Sequence, residues 1–334
     1  MSSKEAFKAF LIRQEAGQIA SGFTEFSEAA LDPGEVLIRV AYSSVNYKDA
    51  LAATGAGRII RRFPCVGGID LSGWVVESQD PRFKPGDEVL ATSFDIGVAH
   101  HGGFAEFARI PADWVYKLPS GLDLKQVMSL GTAGFTAGLG VVRMEENGLR
   151  PENGPVIVTG STGGVGSLAV DMLARLGYHV VALTNKENAK DYLLTLGAKE
   201  VMLRQSIDLA KIKPLDKPLW AGAVDNLGGE VLSWITSTMQ QAGTIASIGM
   251  AASLNLNCSV APFILRGVSL LGIDSGYIGE PYRSQVWNRL ATDLRPTHLE
   301  TMSRTIQFAD LPAIFDDFIQ SRVTGRVVVE IAGS

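Results

Sequence analysis

The sequence has 334 residues, which is long for one average domain, so length alone predicts two. Apolar residues make up 46% of the chain and charged residues 19%, as is typical of globular proteins with filled cores. The net charge of −5 disfavours nucleic acids and anionic membrane surfaces as partners. The N-terminal residues show no signal-peptide core, and no apolar run approaches the roughly 18 residues of a membrane span. Two distant cysteines, Cys65 and Cys258, make no disulfide framework and indicate a reducing, cytoplasmic environment.

The first third of the chain predicts a β-rich domain. Short segments with partial period-two alternation are separated by Gly and Pro turns, a pattern that indicates a small, partly open barrel. The predicted strands cover residues 7–14, 34–46, 71–79 and 88–92, with one or two more within 102–119. From about Asp123 the periodicity becomes helical, and glycines at 131, 134 and 138 allow close approach of backbone or ligand.

A predicted strand, a glycine-rich turn and a helix follow one another in VIVTGSTGGVGSLAV, residues 156–170. Ser161, Gly163 and Gly166 fit the dinucleotide fingerprint with serine in the first position, and this order of elements is the context that fingerprint requires. The helix begins near Val165, so its free N–H groups would face a pyrophosphate together with the turn residues Thr162 and Gly164.

Five more strands alternate with helices after this turn, at residues 179–184, 200–203, 220–225, 243–250 and 268–275. This spacing predicts a doubly wound parallel sheet of the Rossmann type over residues 125–275. The tail, 276–334, ends in a predicted strand at 325–333 and is expected to complete the first domain, residues 1–124.

The end of the second strand of this sheet indicates which dinucleotide binds. An NAD site usually carries an acid there, whereas this chain has Thr184, Asn185 and Lys186. Two small hydrogen-bonding side chains and a cation suit a 2′-phosphate, and Arg204 after the third strand adds a second cation. The alternative is that Lys186 is a solvated helix-start lysine, and Glu187 beside it weakens the phosphate interpretation. The residues therefore favour NADPH.

The sequence predicts a metal-free site. Zinc needs clustered Cys, His or carboxylate ligands, and the adjacent pair His100 and His101 is poorly spaced for one ion. Alcohol oxidation would lose its usual activator without zinc, whereas hydride addition to a polarised double bond needs none.

Six segments resemble, in order, the zinc-independent quinone-oxidoreductase branch of the medium-chain dehydrogenase/reductase superfamily. They are SSVNYKDALAATG, FPCVGGIDLSGWV, RFKPGDEVL, GGFAEFARI, GTAGFTA and VTGSTGGVGS. Four more segments, DALAATGAGRIIRRFP, LWAGAVDNLGG, APFILRGVSLLGIDS and TGRVVVEI, are similar to NADPH-dependent acrylyl-CoA reductases. The resemblance spans essentially the whole chain and departs from the pattern at Cys65-Val66-Gly67 and at Ser161.

The resemblance implies an α/β protein with a GroES-like catalytic domain and a Rossmann domain. It also implies a homodimer through edge pairing of the sixth strands, here 268–273. Carried over by position, it implies a cofactor site whose residues are Tyr47, Gly163, Gly164, Val165, Thr184, Asn185, Lys186, Arg204, Met250, Ile264, Ser275 and Arg326.

The implied reaction is reduction of acrylyl-CoA, a short-chain enoyl-CoA, to propionyl-CoA. NADPH delivers hydride to the β-carbon, charge moves to the thioester oxygen, and the α-carbon is protonated. Hydrogen-bond donors placed on that oxygen would lower the barrier most. Asn46 and Tyr47 are the candidates for stabilising the oxygen, for orienting the substrate or for relaying the proton. The alternatives are a packing aromatic for Tyr47 and a turn or bulge residue for Asn46.

A basic cluster of Lys48, Arg58, Arg61 and Arg62 could hold the phosphates of CoA, although a solvated basic loop explains it as well.

Two other functions stay open at this point. One is NADPH:quinone reduction, because an apolar, glycine-lined site does not choose between a quinone and a short acyl chain. The other is a non-catalytic NADPH-binding protein.

Overall fold

A computed structural model describes residues 6–332, which form two compact units. Of the described residues, the first unit contains 6–132 and 299–332, and the second contains 133–298. These limits lie later in the chain than the predicted domain boundaries at 124 and 275. The return occurs at 298 because the helix at 282–290 packs within the second unit, where Trp287 lies 5.9 Å from Phe135 between ring centroids.

The strands are numbered here in chain order. They are β1 (Phe7–Glu15), β2 (Gln18–Phe26), β3 (Val36–Val45), β4 (Cys65–Val66), β5 (Asp70–Ser78), β6 (Glu88–Thr92), β7 (Phe107–Ile110), β8 (Val115–Lys117), β9 (Val156–Thr159), β10 (Val180–Thr184), β11 (Glu200–Leu203), β12 (Trp220–Asp225), β13 (Met239–Ser247), β14 (Ser269–Gly272), β15 (Ser303–Gln307) and β16 (Arg326–Glu330).

Eight α-helices lie among the described residues. They are α1 (Tyr47–Thr54), α2 (Leu124–Glu146), α3 (Gly164–Arg175), α4 (Lys190–Thr195), α5 (Gly229–Thr238), α6 (Ala261–Arg266), α7 (Tyr282–Leu290) and α8 (Leu311–Ile319). α2 is long and apolar enough to span a membrane, but 89% of its most apolar window is buried inside the protein, as in a core helix. Gly131 interrupts α2 with φ 52° and ψ −156°.

The first unit contains two sheets. One has the order β2-β1-β4, and the other has the order β15-β16-β3-β5-β6-β8, with β7 pairing on β3. The strands predicted at 7–14, 34–46, 71–79 and 88–92 are confirmed as β1, β3, β5 and β6, and the segment 102–119 supplies β7 and β8. β16, the last strand, pairs antiparallel with β3 in the first unit, where the sequence analysis expects it to lie. The sequence reasoning missed β2, β4 and β15.

The second unit is built on one six-stranded sheet in which every pairing is parallel. The order is β11-β10-β9-β12-β13-β14, which is a doubly wound arrangement that reverses direction at β9. β9, β10 and β12 are buried along their whole lengths, as expected for strands covered on both faces. Ligands of such sheets bind at the carboxyl ends of the strands near the reversal.

Candidate functional site

The glycine-rich turn lies between β9 and α3, and a serine ties it to the neighbouring strand. The Ser161 hydroxyl and backbone N–H both donate to the Leu183 carbonyl, at 3.0 Å and 3.3 Å. Gly160 has φ 56°, a conformation that favours glycine. The serine in the first fingerprint position, where glycine is usual, therefore anchors the turn to the end of β10.

The third fingerprint position requires glycine because the turn folds back on the start of α3. A Cβ at Gly166 would lie 2.3 Å from the Gly160 carbonyl oxygen and 2.7 Å from the Ser161 Cα. Gly163 is the N-cap of α3, and no side chain caps this helix end. The free N–H groups of the first turn fit the pyrophosphate of a dinucleotide. The predicted turn residues Thr162, Gly164 and Val165 all lie at this end of α3, with Thr162 buried.

The end of β10 lies directly beside this turn. Thr184 is buried, and its hydroxyl accepts a hydrogen bond from the Lys186 backbone N–H at 3.0 Å. Thr184 is paired with Leu203 in the parallel register, so Asn185 and Arg204 leave the sheet at neighbouring positions. Partial burial lowers the pKa of Lys186, and a bound phosphate would oppose that shift.

Glu187, the acid that weakens the phosphate interpretation, is held by another residue at this edge. Its Oε1 accepts a hydrogen bond of 2.7 Å from the Gln205 side-chain amide. The structure thus brings together the four residues predicted for the 2′-phosphate at one corner of the sheet, with the acid bonded to Gln205.

Asp225 and Asn226 also support the turn, although the sequence reasoning assigned them no role. Asp225 ends β12 and accepts bonds from the Thr159 hydroxyl (2.8 Å) and the Gly228 N–H (2.8 Å). The Asn226 amide donates to the Thr159 carbonyl at 2.7 Å. Burial raises the pKa of Asp225. These bonds fix the ends of β9 and β12, between which the sheet order reverses.

The residues predicted for the nicotinamide half lie on the other side of β9. Met250 follows β13 and Ser275 follows β14, both near the carboxyl ends of their strands. Met250 is 63% exposed, whereas the Ser275 hydroxyl accepts a 2.6 Å hydrogen bond from the Thr136 hydroxyl. Ile264 lies on α6, before β14 rather than after a strand, and is 77% exposed. The structure therefore groups Met250 and Ser275 at the sheet edge but does not group Ile264 with them.

In the first unit, Asn46 belongs to a buried polar network. Its amide Nδ2 donates to Asp70 Oδ2 (2.8 Å) and Asp49 Oδ2 (3.2 Å), and its Oδ1 accepts from Arg326 (3.1 Å). Both amide hydrogens are thus used within the protein. The role of Asn46 toward the substrate stays a prediction, and the bonds described here make its side chain an anchor for the start of α1.

Arg326 is the cation of the same network and is only 2% exposed. Its guanidinium donates to the Ser129 carbonyl (3.0 Å) and the Ser44 hydroxyl (2.9 Å), and lies 4.0 Å from Asp70. The place of Arg326 beside the cofactor stays a prediction, and the donors described here are directed to residues of this unit. Burial first, and then the charge of Asp70, raises the pKa of Asp49 to about 7.

Gly131 is required by this network. A Cβ at that position would come within 2.6 Å of the Asp70 carboxylate and 2.7 Å of the Ser44 hydroxyl. The next residue, Thr132, donates both its backbone N–H and its hydroxyl to Asp70. The kink in α2 therefore lets the helix backbone close over a buried carboxylate.

Tyr47, the first residue of α1, is an exposed residue beside this buried network. Its side chain is 45% exposed, while Asn46 and Asp49 on either side are held by the bonds described above. Asn46 N–H donates to Asp49 Oδ2 at 2.8 Å, which fixes the helix start. The network thus presents an exposed phenol on a rigid support.

The arginines predicted to hold CoA are partly used by the protein itself. Arg61 forms an ion pair with Asp95, and Arg62 forms one with Asp32 and also donates to the Ala99 carbonyl at 2.8 Å. Arg58 is exposed. The CoA role of these arginines stays a prediction, and two of them also form ion pairs with carboxylates of other segments.

The residues near the adjacent histidines do not suit zinc. His100 Nδ1 lies 3.0 Å from the His101 carbonyl oxygen, and His101 Nδ1 accepts a bond from the Val66 N–H at 3.0 Å. Burial raises the pKa of the Cys65 thiol to about 12, which disfavours the thiolate that zinc needs. Within residues 6–332, no group of three or more His, Cys, Asp or Glu could hold a metal ion.

Comparisons with known proteins identify the family. The profile described as Alcohol dehydrogenase GroES-like domain matches residues 32–120, and that described as Zinc-binding dehydrogenase matches 164–292. The chain is 44% identical to the acrylyl-CoA reductase AcuI of Ruegeria pomeroyi, over 95% of this chain and 96% of the relative. The chain belongs to the medium-chain dehydrogenase/reductase family. Its resemblance to the zinc-independent quinone-oxidoreductase branch is confirmed, and it is an oxidoreductase.

Two other relatives are represented by solved structures. The Salmonella enterica oxidoreductase YhdH, in complex with NADP, is 43% identical with a TM-score of 0.95 and covers 97% of this chain and 100% of its own. Bacillus subtilis YhfP, which is provisionally named a quinone oxidoreductase, is 46% identical over 97% of this chain and 99% of its own. Its structure has a TM-score of 0.95 and contains NAD. These likenesses confirm the predicted GroES-like and Rossmann fold.

Proposed function

We propose that this chain uses NADPH to reduce the activated C=C bond of acrylyl-CoA to propionyl-CoA. The observation that supports NADPH as the cofactor is the corner of the sheet where Ser161 joins the glycine-rich turn to the end of β10. The strand end there offers Thr184, Asn185 and Lys186, with Arg204 beside them and no acid on the strand tip. The likeness to AcuI supports the choice of substrate.

NADPH, when bound, supplies the hydride that is added to the β-carbon of the substrate. The N–H groups at Gly164 and Val165 would hold the pyrophosphate beside Gly163, whose own N–H donates to the Gly160 carbonyl at 2.9 Å. Lys186 and Arg204 would hold the 2′-phosphate. Ser275 and Met250 would contact the nicotinamide half from the ends of β14 and β13.

Tyr47 is the residue proposed to act on the substrate. Its phenol can donate a hydrogen bond to the thioester oxygen, on which negative charge develops, or deliver the proton to the α-carbon. Asn46 and Arg326 are proposed to support Tyr47 indirectly, by fixing the start of α1.

Quinone reduction is the second candidate function, and the provisional name of YhfP is the observation that favours it. One experiment separates the two. NADPH oxidation is measured in parallel with acrylyl-CoA, crotonyl-CoA and a small quinone. The proposal expects the highest kcat/KM with acrylyl-CoA, whereas a quinone preference would replace it with the second candidate. Binding of NADPH without any turnover would indicate a non-catalytic protein.

We further propose a homodimer in which copies pair along β14, in a cytoplasmic setting. β14 is the last strand in the order of its sheet, and exposed apolar side chains of Val260, Ile264 and Leu265 lie shortly before it in the chain. Sedimentation equilibrium tests this, and a monomer at micromolar concentration would refute it.

A further inference from the structure

The segment 274–281 leaves the sheet at the carboxyl end of β14 and is called here the Ser275 loop. Asp274 Oδ1 accepts the backbone N–H groups of Gly276 (2.9 Å) and Tyr277 (3.2 Å), so the loop begins with a bonded turn. The start of the Ser275 loop is thus held by a side chain of the loop itself.

Arg283 binds this loop from the first turn of α7. The side chain is fully buried, and its guanidinium donates to the carbonyl oxygens of Ser275 (3.2 Å), Gly276 (3.1 Å) and Ile278 (2.9 Å). Three hydrogen bonds from one planar group fix three peptide units of the loop relative to the helix.

This arginine is costly for the stability of the helix. Arginine is among the residues that are least often fully buried, because desolvation of its charge is expensive. A cation in the first turn of α7 also opposes the helix dipole. The cation–π contact with the Phe135 ring, at 4.8 Å, offsets only part of this cost. What the guanidinium adds is the fixed geometry of the loop.

A second tether reaches the same loop from α2. The Thr136 hydroxyl donates to the Ser275 hydroxyl over 2.6 Å, and Thr136 is itself buried. Ser275 is therefore held through its backbone by Arg283 and through its side chain by Thr136. Phe135, the neighbour of Thr136, is the ring under the Arg283 guanidinium, so the two tethers share one support.

We infer that Arg283 is a positioning residue that sets the Ser275 loop, and through it the nicotinamide half of the bound cofactor. The inference rests on the proposed function, because it takes Ser275 as part of the NADPH site. Arg283 itself is fully buried, so the inference assigns it an action through the loop.

The test compares two ligands that share the adenosine half. Dissociation constants for NADPH and for adenosine 2′,5′-bisphosphate are measured by titration calorimetry with Arg283→Met, Arg283→Lys and Thr136→Val. We expect Arg283→Met to weaken NADPH binding by roughly tenfold or more and to leave bisphosphate binding unchanged. Arg283→Lys should recover part of the loss, because an ammonium group keeps the charge but not the three-way geometry.

Arg289→Met is the matched control on the same helix. Arg289 pairs with Glu145 and Asp293 at the protein surface, so its loss should lower Tm without separating the two ligands. If Arg283→Met does not fold, Thr136→Val is the test variant. It should weaken NADPH binding by a smaller factor than expected for Arg283→Met and leave bisphosphate binding unchanged. Equal changes for NADPH and bisphosphate, or no change in a folded Arg283 variant, would overturn the inference. Failure of the wild-type protein to bind NADPH would instead overturn the proposed function.

Discussion

The hydroxyl of Ser161 donates a hydrogen bond to the backbone carbonyl of Leu183 over 3.0 Å. This bond joins the turn proposed for the pyrophosphate to the strand end proposed for the 2′-phosphate. Because Thr184 follows Leu183 directly, the two halves of the adenosine site cannot move apart without breaking a buried hydrogen bond. The cofactor preference is therefore built into the Rossmann sheet itself.

Removal of either cation at this corner should reduce the preference for NADPH over NADH. We expect Lys186→Ala or Arg204→Ala to weaken NADPH binding by about 10- to 100-fold, because a hydrogen bond to a charged group contributes about 1.5–3 kcal/mol. NADH, which lacks the phosphate, should bind as before. Fluorescence titration of both cofactors measures the ratio.

Lys190→Ala is the control for that pair of variants, since Lys190 is an exposed lysine at the start of α4. Its effect on both cofactors should be small. A parallel loss of NADPH and NADH binding in Lys186→Ala would contradict the phosphate assignment and would leave Lys186 as a solvated surface lysine.

Substitution of Tyr47 by Phe tests the role of the exposed phenol. A general acid contributes typically about 10²–10⁴-fold, so we expect kcat with acrylyl-CoA to fall by at least about tenfold while NADPH still binds. Tyr116→Phe, on β8 of the same unit, is the control for loss of a phenolic hydroxyl. Unchanged turnover in Tyr47→Phe would assign the proton to solvent and remove the residue from the mechanism.

The pKa of Asp49, which burial raises to about 7, gives stability a defined pH dependence. Between about pH 4 and pH 7 the folded protein keeps a proton on Asp49 that the unfolded chain has lost, so the free energy of unfolding falls as pH rises. The contribution is at most about 1.4 kcal/mol per pH unit and ends above pH 7. Asp49→Asn removes the titrating group.

We therefore expect the Tm of the wild-type protein to decrease more between pH 5 and pH 8 than the Tm of Asp49→Asn. Other titrating groups are present in both proteins, so the difference between the two slopes isolates Asp49. Equal slopes in differential scanning calorimetry would show that Asp49 is ionised throughout, with the network compensating its charge fully.

The double variant Arg61→Ala, Arg62→Ala tests the basic loop. Because Asp95 and Asp32 already pair with these arginines, we expect KM for acrylyl-CoA and for a small quinone to change by the same factor. Initial rates with both substrates give that comparison. A rise in KM for the CoA thioester alone would restore the sequence hypothesis of a CoA site.

The sequence was sufficient to predict all six strands of the second unit, because most are short apolar segments at regular βα spacing, although β13 begins at Met239, before the predicted start at residue 243. It was insufficient for β2 and β15, whose residues are mostly half-buried or exposed and carry no apolar alternation. β15 pairs only with β16 and β2 only with β1 among the described strands. Edge strands of this kind are specified by their partners more than by their own pattern.

The cofactor turn was predictable because its fingerprint is local, with all positions within six residues. The polar network around Asn46 was not, since its members come from four separate segments. Asp70 lies 24 residues from Asn46 and Arg326 lies 280 residues away. Periodicity carries no information on such pairs, and a buried charge is indistinguishable in sequence from a solvated one. The same reason hid the ion pairs of Arg61 and Arg62.

The most direct test of the central claim follows the hydride itself. The purified protein is incubated with acrylyl-CoA and NADPH that carries deuterium at the transferable position, and the thioester product is analysed by NMR and mass spectrometry. The proposed reaction predicts propionyl-CoA with one deuterium on the β-carbon. Deuterium on the α-carbon, or recovery of unreacted acrylyl-CoA under conditions in which a quinone is reduced, would contradict it.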